Sequence, residues 1–545
     1  MSITEEMIRT LHYSLNVMTN FHKTFGDWDL GLMLGSTAED TKLMNQTHWG
    51  YNFVTAGTVS FSNIANSNKF FKDATSRHRL QGVYGEARVA YKSIAYLTVT
   101  GRNDWSSTLP ENNRSYFYPS VSGAFVFTEL LPKNNILSFG KIRASWAQVG
   151  KDADPYATLT YVTSPMIYGS YTGIGNYYVS GNAYLKPEIQ TAWEIGTELR
   201  FLNGRLGLDW TYYHSSTKNQ IASPRLSNAS GYIMSSINSG SVINNGMEVS
   251  INGKPIVKKD FLWESALNFS YNRGKLGTFL KGVGMFYPTD AQFGTVKSAS
   301  VPNGGHFMAL VGTRFEYEHD ADGNEKEGGR YLVDPNTGLY KIHNSTNDVV
   351  GNREPKLIGG WSNTFTYKDL SLSVLLDFRI GGDVFNGTEQ FMVNNGLSKT
   401  TLLNDRQSVT VSGINSETGE EYTQTYEADK SYTFGSTTYS GRDMIQRYWS
   451  NYAQNSYNFI QSVNWLKLRS VSLSYDLTRL ISCQSIIKRL MVNLTGTNLL
   501  TWTNYKGMDP EVSTAGGTGG SGATGIDYCS VPSVSSVTFG VNVTF

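Results

Sequence analysis

Residues 534–545, Val-Ser-Ser-Val-Thr-Phe-Gly-Val-Asn-Val-Thr-Phe, constrain the fold most. Val537, Phe539, Val541, Val543 and Phe545 fall on one face, and Thr538, Gly540, Asn542 and Thr544 on the other. A strict period of two is the pattern of a strand with one apolar and one polar face. In a soluble protein such a strand lies half buried on a core. In an outer-membrane barrel its apolar face meets lipid, its polar face meets the lumen, and aromatic residues mark the interfaces. Phe539 and Phe545 are the residues expected at that membrane face and in barrel assembly.

Composition narrows the choice. The chain has 545 residues, more than one ordinary globular domain and normal for a large barrel. Aromatic content is 13%, with 33 Tyr, and glycine is abundant at 54. Mean hydropathy is −0.32, and no apolar run approaches the ~20 residues of a membrane-spanning helix. A net charge of +1 gives no electrostatic footprint for nucleic acid. Two cysteines in this length make no disulfide framework. The opening Met-Ser-Ile-Thr-Glu-Glu-Met lacks the basic-then-apolar order of a signal peptide.

The alternating pattern recurs along the chain. It predicts strands at 7–20 and 28–36, then a polar stretch to Leu80, then a hairpin of 83–91 and 95–100. Further strands are expected at 119–128, 137–148, 191–201 and 205–214, the last two joined by Leu202-Asn203-Gly204, a hairpin signal. They continue at 244–254, 260–272, 360–367, 370–380, 463–477 and 488–500. Short and long connections alternate throughout. Long structureless loops argue against a compact soluble domain. They match a transmembrane barrel, with short periplasmic turns and long extracellular loops. A propeller would need a fixed internal period, and none is visible.

The expected fold class is therefore all-β, a transmembrane antiparallel β-barrel of about fifteen strands. Bacterial barrels are usually even-numbered, and lipid forbids open edges. With fifteen strands the first and last would have to close in parallel. Residues 1–545 are accordingly expected to be the C-terminal part of a 22-stranded barrel, the size whose lumen holds a plug, with the N-terminal signal and plug lacking.

A set of motifs, in order, carries a family resemblance. They include Gly101-Arg-Asn-Asp-Trp-Ser-Ser, Tyr118-Pro-Ser-Val-Ser, Ile142-Arg-Ala-Ser-Trp, Leu185-Lys-Pro-Glu and Trp193-Glu-Ile-Gly. They continue with Asn244-Asn-Gly-Met-Glu-Val, Gly359-Gly-Trp-Ser-Asn-Thr-Phe, Gly381-Gly-Asp-Val-Phe-Asn and Leu466-Lys-Leu-Arg-Ser-Val-Ser. The most specific are Gly496-Thr-Asn-Leu-Leu-Thr-Trp-Thr-Asn-Tyr-Lys-Gly-Met-Asp-Pro-Glu-Val and Gly525-Ile-Asp-Tyr. Along nearly its whole length the chain resembles the SusC/RagA-type TonB-dependent outer-membrane transporters of Bacteroidetes. The resemblance implies import of oligosaccharides or peptides, with a SusD-like surface lipoprotein as partner. It also implies coupling to TonB through a box and plug that these residues do not contain. It implies no catalysis and no cofactor. The alternative is a truncated or vestigial passive pore without energy coupling.

Candidate sites are few. Ser215-Ser-Thr-Lys218 has the spacing of a Ser-x-x-Lys nucleophile but lacks the partner motifs, and reads as a strand end. Asp320, Asp322 and Asn324 have the oxygen density of a calcium loop but lack its order and a bidentate Glu, and read as a solvated turn rather than a metal site. The glycine-rich stretch from Gly516 reads as a loop. The eight histidines show no metal-ligand spacing. Cys483 in a periplasmic turn and Cys529 in an extracellular loop are expected to be too far apart to bond. Tyr116, Tyr118, Tyr171 and Tyr178 fall in expected loops and are the candidates for ligand contact, by stacking on sugar rings or meeting a lipoprotein cap. Arg88, Lys141, Arg143, Asp209, Glu264, Asp377 and Arg379 are expected to line the lumen in charge networks.

Overall fold

A computed structural model describes residues 2–545 except 133, 163–165, 169–170, 278, 280–284, 286, 288–291, 303, 321, 327, 346, 481–485 and 512–523. Of residues 166–168 and 171–172 it describes the backbone. Fifteen strands form one sheet in which neighbours follow chain order without a crossover, matching the expected number. We label them β1 (Ser2–Phe25), β2 (Trp28–Tyr51), β3 (Lys69–Tyr91), β4 (Ala95–Ser106), β5 (Ser115–Phe125) and β6 (Leu137–Lys151). Next come β7 (Glu188–Phe201), β8 (Leu206–Lys218), β9 (Ser241–Val257), β10 (Phe261–Leu276) and β11 (Leu357–Tyr367). The last are β12 (Leu370–Ile380), β13 (Trp465–Asp476), β14 (Arg489–Thr503) and β15 (Ser536–Thr544). The turn at 202–204 holds Leu202, Asn203 and Gly204 all at positive φ, as its sequence requires.

The chain divides into two units, Met1–Glu198 with Tyr213–Ile243 and Thr278–Lys281, and Leu199–Tyr212 with Asn244–Gly277 and Gly282–Phe545.

In the first unit β1 to β6 pair antiparallel in sequence. The period-two pattern decides which face is which. Leu15, Val17 and Phe21 of β1 share a face with Leu30, Leu32 and Leu34 of β2, Val83, Ala87 and Val89 of β3, and Leu97 and Val99 of β4. Most of these side chains are exposed, so the face is apolar and uncovered. The other face is polar: Asn16 accepts from the Tyr84 hydroxyl at 2.9 Å, and Arg102 donates to Thr37 at 3.0 Å.

β1, β2 and β3 are longer than the apolar pattern predicts. The expected strands at 7–20 and 28–36 extend to 2–25 and 28–51, and the polar stretch before Leu80 is largely strand from Lys69 onward. At 24 residues, β1 and β2 are over twice what a bilayer crossing needs. Their extra halves carry polar residues on both faces and hold by cross-strand pairs. Asn45 donates to Glu6 at 2.6 Å, and the Trp49 and Phe70 rings stack at 5.4 Å. A wet strand leaves no hydrophobic period to read.

In the second unit β10 to β15 also pair antiparallel in sequence. Val537, Phe539, Val541 and Val543 lie opposite Gly496, Leu494, Val492 and Leu490 of β14, and these valines and Phe539, like Phe545, are exposed. The long connections here are not structureless, which corrects the sequence expectation. Short strands, helix α1 (Gly387–Asn394) and helix α2 (Gly441–Gln454) pack around Val333, Phe385, Val411, Tyr426, Met444, Trp449 and Phe459. Two parallel pairings, of Leu332–Asp334 with Ser408–Asn415 and of Asp383–Asn386 with Ile526–Asp527, tie segments far apart in sequence. α2 starts at a capping box in which Ser440 accepts from the Asp443 amide and Asp443 accepts from the Ser440 amide.

Candidate functional site

In the first unit the polar face of β4 and β5 carries a linked group. Arg102 donates to Asp104 at 2.8 Å, and the Tyr118 hydroxyl donates to the same carboxylate. Arg102 lies over the Tyr84 ring at 5.6 Å. Asp104 is buried, so its two partners are what make the charge tolerable there. Beside it, Asp152 accepts from Ser106 and Thr108 and pairs with His78 at 2.7 Å. Thus the residues after β6 are tied back to β3 and β4 by one carboxylate.

Tyr116 and Tyr118 are therefore not loop residues, and the loop placement is corrected. Both belong to β5, because alternation continues through Ser115-Tyr-Phe-Tyr. Tyr116 is buried with Leu109, Ala153 and Leu185, which leaves no ring face for a ligand. Tyr118 is spent on Asp104. Tyr171 opens the short strand Tyr171–Gly173. Tyr178 keeps its loop position and is half exposed. It packs on Tyr177 at 4.2 Å, and Tyr177 stacks on Tyr161 at 4.4 Å. Hydrogen bonding with Tyr178 and Tyr161, ahead of burial, pushes the Tyr177 phenol well above its ordinary value of 10.0. The three rings make a neutral aromatic platform in water, of the kind on which flat apolar ligand faces stack. Tyr161 and Tyr177 were missed as a pair because they lie sixteen positions apart in sequence.

The expected charge networks on the polar face are present. Lys141 pairs with Glu198 at 2.6 Å, Arg88 with Glu86 at 2.5 Å, and Lys254 with Glu264 at 2.9 Å. A cleft of about 250 Å³ in the first unit is lined by Thr98, Ser122, Arg143, Ser145 and Glu194, among others.

In the second unit the motif Gly507-Met-Asp-Pro-Glu-Val acquires a physical role. A bulge on β13 makes Arg469 the extra residue between Leu468 and Ser470. Bulges re-aim side chains, and here Lys467 and Arg469 converge on one carboxylate. Lys467 donates to Asp509 at 2.7 Å and to Glu511 at 2.6 Å. Arg469 grips Glu511 at 2.9 and 3.0 Å and Asp377 at 2.7 Å. Lys467 is only 3% exposed. Burial pushes the Asp509 carboxyl up, but bonds from Lys467 and Ser533 outweigh it and hold Asp509 well below its ordinary 3.8. Nearby, Tyr505 and Thr388 donate to Asp527 at 2.7 and 3.1 Å. These bonds fasten the connection between β14 and β15 to β13 and α1. The motif was visible in the sequence, but nothing there named Lys467 as its partner.

The remaining candidates are placed as follows. The Asp320 carboxylate accepts from the Asp322 and Asn324 amides at 3.0 and 2.9 Å, an Asx turn in a hairpin. Those bonds occupy one oxygen that a cation would need. Among the described residues no group of three His, Cys, Asp or Glu has metal-binding geometry. Ser215 and Lys218 lie on β8. Cys529 is exposed, while Cys483 and the glycine-rich stretch from Gly516 lie outside the described residues.

The profile of the family described as TonB dependent receptor-like, beta-barrel matches residues 7–334. The chain belongs to that family. TonB-dependent receptor P3 of Formosa agariphila is 25% identical over 98% of this chain and 52% of that receptor. TonB-dependent receptor SusC of Bacteroides thetaiotaomicron is 24% identical over 92% of this chain and 48% of that receptor. The chain thus spans about half the length of the curated relatives it matches. The RagAB peptide transporter structure superposes on all of this chain and 56% of its own, with a TM-score of 0.75 at 20% identity. The chain is an outer-membrane β-barrel protein of a receptor family. In such a barrel wall the apolar face is the lipid face and the polar face is the lumen face.

Proposed function

We propose that this chain is the barrel portion of an energised outer-membrane importer of oligosaccharides or peptides. It works with a SusD-like lipoprotein at the mouth and with TonB through a plug supplied outside these residues. The observation that carries the reading is one strand set presenting an uncovered apolar face and a hydrogen-bonded, charge-bearing polar face, in a member of the TonB-dependent receptor family. Tyr161, Tyr177 and Tyr178 supply the cargo-contacting aromatic surface. The candidate assembly residues Phe539 and Phe545 act from the lipid face of the last strand.

The outer edge of β1 and the outer edge of β15 are the two ends of the sheet order. An unpaired edge in lipid leaves its N–H and C=O groups unsatisfied, at several kcal/mol each. Further strands of a 22-stranded barrel would satisfy both edges.

The test is uptake by cells carrying or lacking the gene, using fluorescent oligosaccharides and oligopeptides, with and without dissipation of the proton gradient. Gene-dependent uptake that stops with the gradient is the expected result. Gene-dependent uptake that survives would make the barrel a passive pore.

A further inference from the structure

The lipid face of β1, β2 and β3 can be followed outward row by row. At the turn end, Phe25, Trp28, Tyr91 and Ala95 form one cross-strand row. From there to the row Leu15, Ala38, Gln81 and Trp105 the face is mostly apolar, with Lys23, Thr19, Ser36 and Asn103 as its polar members. The next row is Tyr13, Asp40 and Arg79, the next Leu11, Lys42 and Arg77, and the next Arg9, Met44 and Thr75. Arg79 is twelve residues along β3 from Tyr91. That is about 40 Å of strand, or about 30 Å of height at a ~40° tilt. The apolar band of such barrels is about 25 Å tall. The rows holding Arg79, Lys42 and Arg77 therefore sit where outer-leaflet headgroups lie. Tyr13 and Trp105 flank them as interfacial aromatics do.

The charges there are unbalanced. Across these three rows Arg9, Lys42, Arg77 and Arg79 face Asp40 as the one carboxylate, with Asp73 one row and Glu5 two rows farther out. Asp40 accepts from Arg77 at 2.9 and 2.5 Å and from Arg79 at 3.2 Å, which fixes both guanidinium groups side by side. Lys42 stands directly across from Arg77, and among the described residues it makes no ion pair. Like charges directly opposite on a sheet destabilise it. An anion between them removes that repulsion, and paired guanidinium forks are the donor arrangement that suits phosphate oxygens. Just below, Leu15, Val17 and Val83 offer apolar surface for acyl chains.

We propose that this patch of β1–β3 binds the phosphorylated headgroup of an outer-leaflet glycolipid. Arg77, Arg79 and Lys42 hold the phosphate, and the apolar rows beneath hold its chains. Continuity with the lipid face favours a membrane lipid over free phosphate, since a soluble anion gains nothing from Leu15 and Val83.

The whole receptor that contains these residues, purified folded in detergent, is titrated with phosphorylated lipid A, with its dephosphorylated form, and with inorganic phosphate. Bound lipid is read by native mass spectrometry. The parent should prefer the phosphorylated form. R77Q/R79Q should weaken that binding about thirtyfold, and K42Q, which leaves the Asp40 clamp intact, about fivefold. Circular dichroism and the boiling-dependent gel shift should match the parent for both. Equal binding of both lipid A forms by the parent overturns the proposal, as does unchanged preference in R77Q/R79Q. Full displacement of lipid A by inorganic phosphate would make this a free-anion site and overturn the lipid assignment.

Discussion

Val99 on β4 and Phe385 in the strand Asp383–Asn386 are both apolar residues in β-structure, yet Val99 is 44% exposed and Phe385 is fully buried. The two regions they represent answer different solvents. The β1–β6 wall of the first unit has its apolar side chains on an uncovered face, and only a small core, around Tyr116 and Leu185, gathers beside it. It is held by ladders in which every interior strand is paired on both sides. The loop assembly of the second unit has an ordinary core, with Tyr426, Phe385, Met444 and Phe459 fully buried. Its stability comes from apolar area removed from water. Substitutions should therefore fail for opposite reasons in the two places.

The largest effect is expected in the loop assembly. Phe385→Ala should cost ~3–5 kcal/mol, the usual range for emptying a buried aromatic site. Limited proteolysis should then cut within 387–460 while the barrel strands stay protected. If the whole chain is degraded instead, the assembly and the sheet of that unit are one cooperative structure. Lys467→Met should come close behind, at ~3–5 kcal/mol, because Asp509 and Glu511 would keep their charges without their shared cation. The double change K467M/D509L should recover part of that loss in the urea midpoint. Failure to recover would show that the cluster works by geometry, through Arg469, and not by charge balance.

The wall itself sharpens the comparison. Val99→Arg places a cation on the lipid face near mid-height and should cost ~2–4 kcal/mol. Thr98→Arg, one residue away, puts the same cation on the polar face and should be close to neutral. Urea unfolding from vesicles, followed by tryptophan fluorescence, separates the two. Equal penalties would mean that the faces of β4 are not lipid and lumen.

The faces of β4 were legible because membrane strands obey the period of two strictly, and a one-residue slip would turn every side chain to the wrong solvent. The same logic gave the number of strands and the alternation of short and long connections. It failed where both faces are wet. Residues 39–51 of β2 and 69–80 of β3 carry Asp40, Lys42, Lys72, Asp73, Arg77 and Arg79 among them, and no hydrophobic count marks them as strand. It failed again in the loop assembly, where strands of two to eight residues pair with partners far away in sequence. Local pattern holds no information about such closure. The capping box of α2, Ser440-Gly-Arg-Asp443, was a readable signal that a hunt for alternation passes over. Tyr116 was misplaced because Tyr-Phe-Tyr looks alike in a loop and a strand. The ladder distinguishes them, with Tyr116 paired across from Asp104.

The acid response also separates the regions. Asp509 holds its carboxyl well below 3.8 in the folded state, so the folded chain binds fewer protons than the unfolded one. Its contribution is complete above the unfolded value and is lost as pH falls below about 4 toward the depressed folded value. Glu511, lowered from 4.5 once its bonds to Arg469 and Lys467 outweigh burial, acts with the same sign. The connection holding Asp509 and Glu511 should become cleavable by an acid-active protease at low pH. Asp509→Asn should raise the pH at which cleavage begins. An unchanged onset would mean that this connection is fastened elsewhere, with Asp527 the next group to examine.

The smallest effect tests what covers the loop assembly. Arg330 pairs with Glu421 at 2.9 Å, and their side chains are 51% and 81% exposed. A pair so placed gains little, because water screens it and both long side chains lose freedom to form it. Glu421→Gln should therefore shift stability by less than ~0.5 kcal/mol in a denaturant titration of the isolated protein. The same variant measured in native outer membranes, where a lipoprotein partner is available, need not behave alike. If a partner lies over the edge formed by Ser408–Asn415 and Glu421–Glu427, it removes water from Glu421 and the lost charge then matters. A loss confined to the membrane preparation would mark this edge as covered. Equal, negligible effects in both would leave it facing water, and the partner would have to seat elsewhere.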